Sequence, residues 1–327
     1  MANLCGLTGP EPYRGDIPTV KMLSRAVAHT LLALAVAVAL TGQAGAATFE
    51  PSSPSVTGAY LAGSQALSDL RTDAAAGFFR QALAEDWDNP MLTERAFIAY
   101  AANGDIGDAA ATAERLLESA PQHDLARLVI AAQALKKEDY EAAISMLESV
   151  GAESFAGITG SILRAWALIG AGRAAEAEAL LDEIGQNGLE EFLVFHRALM
   201  AEVTGDDETA IAYARQAFET DQYVARIVEA LARMLGNAGR FDEAAEVIAT
   251  FEGEGLAHPL VSMVKEAIEE KRRPGSFASS AQAGAAEMFH GVGVALARDG
   301  SPDIALVFLR LGLYLDPSAD VIALILG

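Results

Sequence analysis

The residues that could do chemistry are few and widely separated along this 327-residue chain. Four histidines follow the first 46 residues, with no HExxH or His-x-His spacing among them: His123, His196, His258 and His290. A metal site needs such ligands in a cluster, often with cysteine, and the sequence has only Cys5. A nucleophilic serine would need a histidine beside it, and no motif supplies one. We therefore predict no catalytic residue, no metal ligand and no cofactor, and hence no enzyme.

Two short motifs resemble ligand loops but lack essential parts of them. Gly291-Val-Gly293 could begin a dinucleotide fingerprint, yet Leu296 stands where a third small residue belongs, and no strand precedes it. The acidic run 205–208 lacks the spaced acids and the distal glutamate of a calcium loop. Its aspartates are better suited to capping a helix.

The charge balance is strongly acidic. The chain has 45 Asp and Glu residues against 23 Lys and Arg, a formal net charge of −22. Nucleic acids and anionic lipids bind clustered Lys and Arg, so this balance argues against both as partners. Net charge favours solubility and basic partners, but alone it identifies no binding site.

The N-terminal segment has the pattern of a secretory signal peptide. Arg25 precedes an apolar stretch from Leu31 to Leu40, and small residues follow at Ala44-Gly45-Ala46. The stretch is shorter than the roughly 20 apolar residues of a membrane span. We expect residues 22–46 to be the signal peptide, cleaved after Ala46, with Met22 as the natural start. The mature chain would then be periplasmic, without cysteine and without a membrane span; retention of the leader as an inner-membrane anchor is the alternative.

An alanine recurs at a near-constant interval through the rest of the chain. The first four copies are 34 residues apart, and the series is Ala75, Ala109, Ala143, Ala177, Ala210, Ala244 and Ala305. A fixed period of this length indicates repeated supersecondary units that stack on one another. Apolar residues around each alanine keep to one helical face, and we find no alternating β-branched run. The sequence predicts an all-α protein.

The residues around each alanine also repeat. Glycines that tolerate a positive φ stand in the predicted turns before the second helices, at Gly104, Gly172, Gly205, Gly239 and Gly300. In its pattern the chain resembles the tetratricopeptide repeat (TPR) family from Val56 to Gly327, most clearly at Gly293, Leu296, Ala305, Leu309, Gly312 and Pro317. Phe97 is bulky where the family has a small residue, and most of the family's prolines are missing. The resemblance implies a right-handed α-solenoid of stacked TPR-like helical hairpins.

The repeat register divides the chain into segments. We expect a leader in residues 1–46, a linker in 47–55 and six TPR-like repeats in 56–258. Residues 259–284 are a degenerate repeat and linker, because Arg272 to Ser276 interrupts the helical pattern. A further repeat follows in 285–319. Residues 320–327 match the opening of another unit, and we expect the chain to be a fragment of a longer protein.

The family resemblance also implies where a partner binds. In TPR proteins the first helices line a concave groove, and the corresponding apolar residues here are Met91, Ile98, Leu128, Ile162, Trp166, Phe192, Phe195 and Leu199. The sixth unit instead places the charged residues Arg226, Glu229 and Arg233 there. A groove of this kind suits an apolar peptide or helix. The alternative is that tight curvature or a C-terminal segment already buries these side chains.

These observations favour a non-catalytic protein–protein interaction scaffold of the bacterial cell envelope, with a protein or peptide partner. One alternative is a targeting or regulatory arm of a larger enzyme whose catalytic domain lies beyond residue 327. A second alternative is a structural protein that self-associates through its C-terminal half-repeat.

Overall fold

The computed structural model describes residues 55–150, 155–185 and 190–327. The predicted leader and signal peptide lie outside these ranges. Within them the only regular secondary structure is α-helix, which confirms the all-α prediction. Sixteen helices follow one another there: α1 Val56–Ser68, α2 Thr72–Glu85, α3 Pro90–Asn103, α4 Ile106–Ser119, α5 Asp124–Lys136, α6 Tyr140–Leu147, α7 Phe155–Gly170, α8 Ala174–Gly185, α9 Glu190–Thr204, α10 Asp207–Thr220, α11 Ala225–Asn237, α12 Phe241–Gly253, α13 Pro259–Glu269, α14 Ala281–Arg298, α15 Pro302–Leu315 and α16 Asp320–Leu326.

The helices pack as consecutive hairpins. From α1 to α12 each odd-numbered helix packs against the even-numbered helix that follows it, and that helix packs against the next odd-numbered one. First helices of neighbouring hairpins also touch, as α5 touches α7. This is the nearest-neighbour stacking of a helical solenoid, so the predicted fold is confirmed.

The repeated small residues allow the two helices of a hairpin to approach closely. Ala109 and Ala143 are fully buried. At Gly63 even a β-carbon would lie 2.9 Å from the ring of Phe79, and at Gly293 it would lie 2.7 Å from Leu309. Larger side chains at these crossings would push the helices apart. The period of the sequence is therefore the period of helix crossings.

The turns inside the hairpins use the predicted glycines. All five have a left-handed backbone, with φ between 74° and 88°: Gly104, Gly172, Gly205, Gly239 and Gly300. A β-carbon disfavours this conformation, so glycine ends the first helix at little cost. Asp206 then caps the second helix, because its carboxylate accepts the backbone N–H of Thr209 at 3.2 Å.

The hairpin pattern is interrupted after α13. No second helix follows before α14, and α14 begins at Ala281, a few residues before the further repeat predicted for 285–319. The intervening segment is tied to the preceding repeats. The carboxylate of Glu202 accepts the backbone N–H groups of Phe277 at 3.0 Å and Ala278 at 2.9 Å, and Arg233 donates to the carbonyl of Pro274 at 2.9 Å.

The helices α14 and α15, here called the C-terminal hairpin, pack back onto the first helices of earlier repeats. Helix α14 contacts α7 and α9, and α15 contacts α3 and α5. Two side chains fasten this contact. The ammonium group of Lys136 donates to the carbonyl of Leu315 at 2.8 Å, and the amide of Gln282 donates to the carbonyl of Leu135 at 3.0 Å. The hairpin therefore covers the face, here called the inner face, that α3, α5, α7 and α9 present.

Candidate functional site

The C-terminal hairpin covers most of the apolar residues that the family resemblance assigns to a partner. The four at the middle of the inner face, Leu128, Ile162, Trp166 and Leu199, are at most 2 % exposed. Ile98 is half-buried against the core, while Met91 lies exposed at the start of α3. Phe195 is buried and Phe192 half-buried near the beginning of α9. Binding of a partner by these residues stays a prediction, but only some of them are accessible.

Trp166 shows how closely the hairpin fits. A β-carbon at Gly284 would lie 2.0 Å from the Cη2 atom of its indole ring, so the ring packs directly on the backbone of α14. Trp166 has no surface left for a partner, since its exposed fraction is zero. The alternative left open by the sequence, that a C-terminal segment buries these side chains, is what the structure shows for Trp166.

Displacing the hairpin would be costly. Phe289 of α14 and Phe308 of α15 are also almost fully buried, and fully burying one such side chain stabilises a protein by about 1.5–3 kcal/mol. A partner that replaced the hairpin on the inner face would have to compensate several such contributions. The C-terminal hairpin is therefore a permanent part of the fold, and a partner needs another surface.

An open cleft remains beside the C-terminal hairpin. Its volume is about 770 Å³, and its walls are the start of α9, the turn between α10 and α11, one side of α14, and α16. We call it the end cleft. Its main apolar side chains are Phe192, Phe195, Tyr223, Val224, Leu324 and Ile325.

The end cleft exposes large apolar side chains to solvent. Leu324 is 84 % exposed and Tyr223 is 58 % exposed. Single exposed apolar residues are common, but several around one concavity are typical of an interaction site. Sequence reasoning identified Phe192 and Phe195 but missed Tyr223 and Val224, which lie in a turn outside the repeat pattern. The apolar run at residues 321–326 was the available signal for Leu324 and Ile325.

One side of the end cleft contains a buried network of charges. The guanidinium group of Arg226 donates to Glu287 of α14 at 2.9 Å and to Glu229 at 2.6 Å. Arg233 donates to Glu229 at 2.9 Å. Of the charged residues predicted in the sixth repeat, Arg226 thus binds the C-terminal hairpin directly, and Glu229 links Arg226 to Arg233. Two guanidinium groups face two carboxylates, so the charges of the network balance.

The environment of Glu287 keeps it ionised. Burial alone would raise the pKa of this carboxyl group, but Arg226 and His290 hold the pKa well below its usual range. The Nδ1 atom of His290 lies 3.5 Å from Glu287. Because the partners of Glu287 surround it within the fold, this carboxylate fastens α14 to α11 and is poorly placed to act as a general base.

His196 lies on the floor of the end cleft. It is 1 % exposed, and neither ring nitrogen has a hydrogen-bond partner among the described residues. Aromatic rings surround it instead, with centroids 4.5 Å away for Phe192, 5.8 Å for Phe195 and 6.0 Å for Trp166. Burial lowers the pKa of His196 to about 4, with Glu287 opposing this shift. The imidazole is therefore neutral at pH 7 and carries one donor and one acceptor.

Across residues 55–150, 155–185 and 190–327, no three His, Cys, Asp or Glu side chains come together in a way that could hold a metal ion. Among those same residues no helix combines the length and the apolar character of a membrane span.

The chain is similar to known proteins in structure, but it matches no family model and no curated sequence. No family model matches the chain, and a search of curated proteins finds no match. The structure is similar to that of a tetratricopeptide repeat protein from Parabacteroides merdae ATCC 43184, at 17% identity over 67% of this chain and 87% of that one, with a TM-score of 0.49. It is also similar to the TPR domain of P58(IPK), at 15% identity over 82% and 75% of the two chains, with a TM-score of 0.28. The repeat pattern predicts similarity to TPR structures, and this similarity is found. The fold itself is assigned from the helical hairpins described above.

Proposed function

We propose that this chain is a non-catalytic scaffold that binds a protein partner, and that an apolar helix or peptide of the partner lies in the end cleft. The observation that supports this most directly is the exposure of Tyr223 and Leu324 around one cavity of about 770 Å³. Helices commonly bind other proteins by placing an apolar face in such a groove. The middle of the inner face is not the binding surface in this proposal, because the C-terminal hairpin packs on it. The partner binds in the end cleft instead.

The charge of the chain favours a basic partner. Of the charged groups along the end cleft, Arg226 is neutralised by Glu287 and Glu229. Glu191 and Asp221 remain as acids against Arg298, and the whole chain carries −22. Complementary charge accelerates association and favours partners of opposite sign. We therefore infer an amphipathic partner segment with an apolar face and flanking Lys or Arg.

We place the scaffold in the cell envelope. The support is the signal-peptide pattern of residues 22–46, which lies outside the described residues. Cell fractionation and mass spectrometry of the purified protein test this location. The expected mature chain starts at Ala47, and recovery of an intact segment from Leu31 to Leu40 would contradict cleavage.

A photo-crosslinking residue tests the binding surface in the cell. One variant carries it at Tyr223 in the end cleft, and a matched variant carries it at Leu61 of α1, which is 61 % exposed but outside the cleft. We expect a discrete adduct with another protein from position 223 and none from position 61. Equal adducts from both positions, or none from 223, would overturn the proposal. An adduct of two copies of this chain would favour the self-associating alternative instead.

A substitution in the cleft adds a second criterion. Replacing Leu324 with Ser removes exposed apolar surface without a core cavity, because this side chain is 84 % exposed. We expect the adduct from position 223 to fall about tenfold while thermal unfolding stays unchanged. Leu61→Ser is the matched control and should alter neither measurement.

A further inference from the structure

A second, smaller cavity lies beside the end cleft. Its volume is about 360 Å³, and its walls come from α11, α13, the segment just before α14, one side of α14 and the first residues of α16. We call it the side cavity. Arg226, Glu287 and Val321 line both the side cavity and the end cleft, so the two cavities are neighbours. A partner segment that extends out of the end cleft across these residues therefore reaches the side cavity.

Part of the side cavity is apolar and open to solvent. Met263 of α13 is 63 % exposed, whereas Val261 and Val264 of the same helix are buried in the core. Leu260 and Phe277, both half-buried, line the cavity together with Met263. A single exposed methionine is ordinary, but one that lines a cavity beside other apolar side chains is typical of an interaction surface.

The turn between α15 and α16 makes another part of the side cavity acidic. The carboxylate of Asp316 is held in place by Ser318, whose backbone N–H and hydroxyl group donate to it at 2.9 Å and 2.6 Å. Asp320 is exposed at the start of α16. Neither carboxylate forms an ion pair with another described residue. The two arginines of the cavity do not compensate them, because the buried network neutralises both arginines.

A lysine or arginine side chain matches both parts of the side cavity. Its alkyl stem can pack on Met263 while its charged group approaches Asp316 or Asp320, as long basic side chains commonly do at the edge of an apolar surface. Two aspartates would repel a carboxylate or a phosphate. A wholly apolar side chain would remove the carboxylates from water without pairing them. The charge of the side cavity therefore selects a cationic group.

We propose that the binding surface extends from the end cleft into the side cavity, which takes a Lys or Arg side chain from one basic flank of the partner helix. The proposal rests on the function proposed above, since it needs a partner helix in the end cleft. It adds the place where one flank binds, and with it the direction of the helix. The apolar face contacts Leu324, and the basic flank passes Val321 toward Met263.

Three synthetic peptides test the proposal. All are amphipathic helices of leucine and lysine, about four turns long. The first has lysines at both ends, and each of the others has glutamine in place of the lysines at one end. Titration measures their affinity for the wild-type chain, Met263→Ser and Asp320→Asn. The matched controls are Leu61→Ser, at a position that is 61 % exposed, and Asp73→Asn, at an exposed acid in the first turn of α2.

The variants should separate the side cavity from the rest of the surface. We expect Met263→Ser and Asp320→Asn each to weaken binding of the first peptide about two- to fivefold, which is the effect of one partly exposed contact. The controls should leave this affinity unchanged. One glutamine peptide should be insensitive to Asp320→Asn, because it lacks the lysine that enters the side cavity. The other should lose affinity as the first peptide does, and this difference identifies the end of the helix that lies there.

The outcomes also separate this proposal from the one it rests on. If the first peptide does not bind the wild type, binding of a basic amphipathic helix in the end cleft is wrong, and the side cavity falls with it. If Leu324→Ser weakens binding while Met263→Ser and Asp320→Asn do not, the end cleft stands and its extension is wrong. If Asp320→Asn weakens all three peptides equally, its charge acts at long range and the proposed contact is wrong. Circular dichroism checks that each variant is folded.

Discussion

The indole ring of Trp166 in α7 lies directly against the backbone of Gly284 in α14. No side chain separates them, since a β-carbon at Gly284 would lie 2.0 Å from the ring. One partner lies in the repeat array and the other in the C-terminal hairpin that covers it. The pair therefore joins the last part of the chain to the middle of the inner face, and this contact requires glycine at position 284.

The first prediction concerns this contact. Gly284→Ala should destabilise the protein, because the added methyl group forces the fully buried ring of Trp166 to move. Overpacking of this kind costs about 1–3 kcal/mol. The matched control is Gly77→Ala in α2, where an added β-carbon meets nothing within 4 Å. That change should stabilise the helix by about 0.5–1 kcal/mol. Denaturant unfolding of both variants measures the difference, and equal stability would show that α14 does not pack as described.

A second prediction uses the two tryptophans of the chain, Trp166 and Trp87. Trp166→Ala should cost about 3–5 kcal/mol, as expected for a large core side chain, because its exposed fraction is zero. Trp87→Ala should cost far less, since Trp87 is 65 % exposed and the guanidinium group of Arg115 lies over its ring. Thermal unfolding compares the stabilities. Trp87→Ala retains only Trp166, so its fluorescence maximum should be blue-shifted. Trp166→Ala retains only Trp87, so its maximum should be red-shifted. The opposite order would contradict the burial of Trp166.

The third prediction concerns the repeat register. Ala143 and Ala177 are at most 1 % exposed at hairpin crossings, so leucine at either position should cost about 1–3 kcal/mol. Hydrogen exchange should show the loss of protection mainly in the altered hairpin and its neighbours, because a repeat contacts chiefly the adjacent units. Unchanged unfolding of both variants would mean that the register is wrong.

The sequence predicts the local parts of this fold well. The crossing alanines and the turn glycines are fixed by contacts within one hairpin, so a single repeat already contains the information, as Ala143 and Gly172 show. The return of the C-terminal hairpin depends instead on contacts between distant segments. Nothing around Gly284 in the sequence indicates that Trp166 lies against it. The interruption from Arg272 to Ser276 predicts a linker up to residue 284, whereas α14 already begins at Ala281.

The candidate site was predictable only in part for the same reason. Phe192 and Phe195 follow from the repeat register, and both line the end cleft. Tyr223 and Leu324 meet there through tertiary packing, and neither the repeat nor helical periodicity brings them together. His196 stands next to Phe195 in the sequence, but its burial without a hydrogen-bond partner is visible only in the structure.

The last prediction is a pH dependence caused by His196. Its pKa is about 4 in the folded chain, against about 6.5 in an unfolded one. As the pH falls from 7 to 5, the unfolded chain gains a proton here that the folded chain does not take up, so the stability falls. The loss should be about 2 kcal/mol over this interval. In His196→Phe this loss should be absent, and the variant should be at least as stable as the wild type at pH 7.

Another titratable group, Glu287, lies close to His196 and limits the useful pH range. Glu287, whose pKa is held below its usual range by Arg226 and His290 despite its burial, contributes stability that is lost only as the pH falls below about 4. Unfolding by urea at pH 7, 6 and 5 therefore separates the two effects. The quantity to compare is the difference in unfolding free energy between His196→Phe and the wild type, because titrations that both chains share cancel in it. That difference should increase as the pH falls. If it stays constant from pH 7 to pH 5, His196 is not buried in its neutral form.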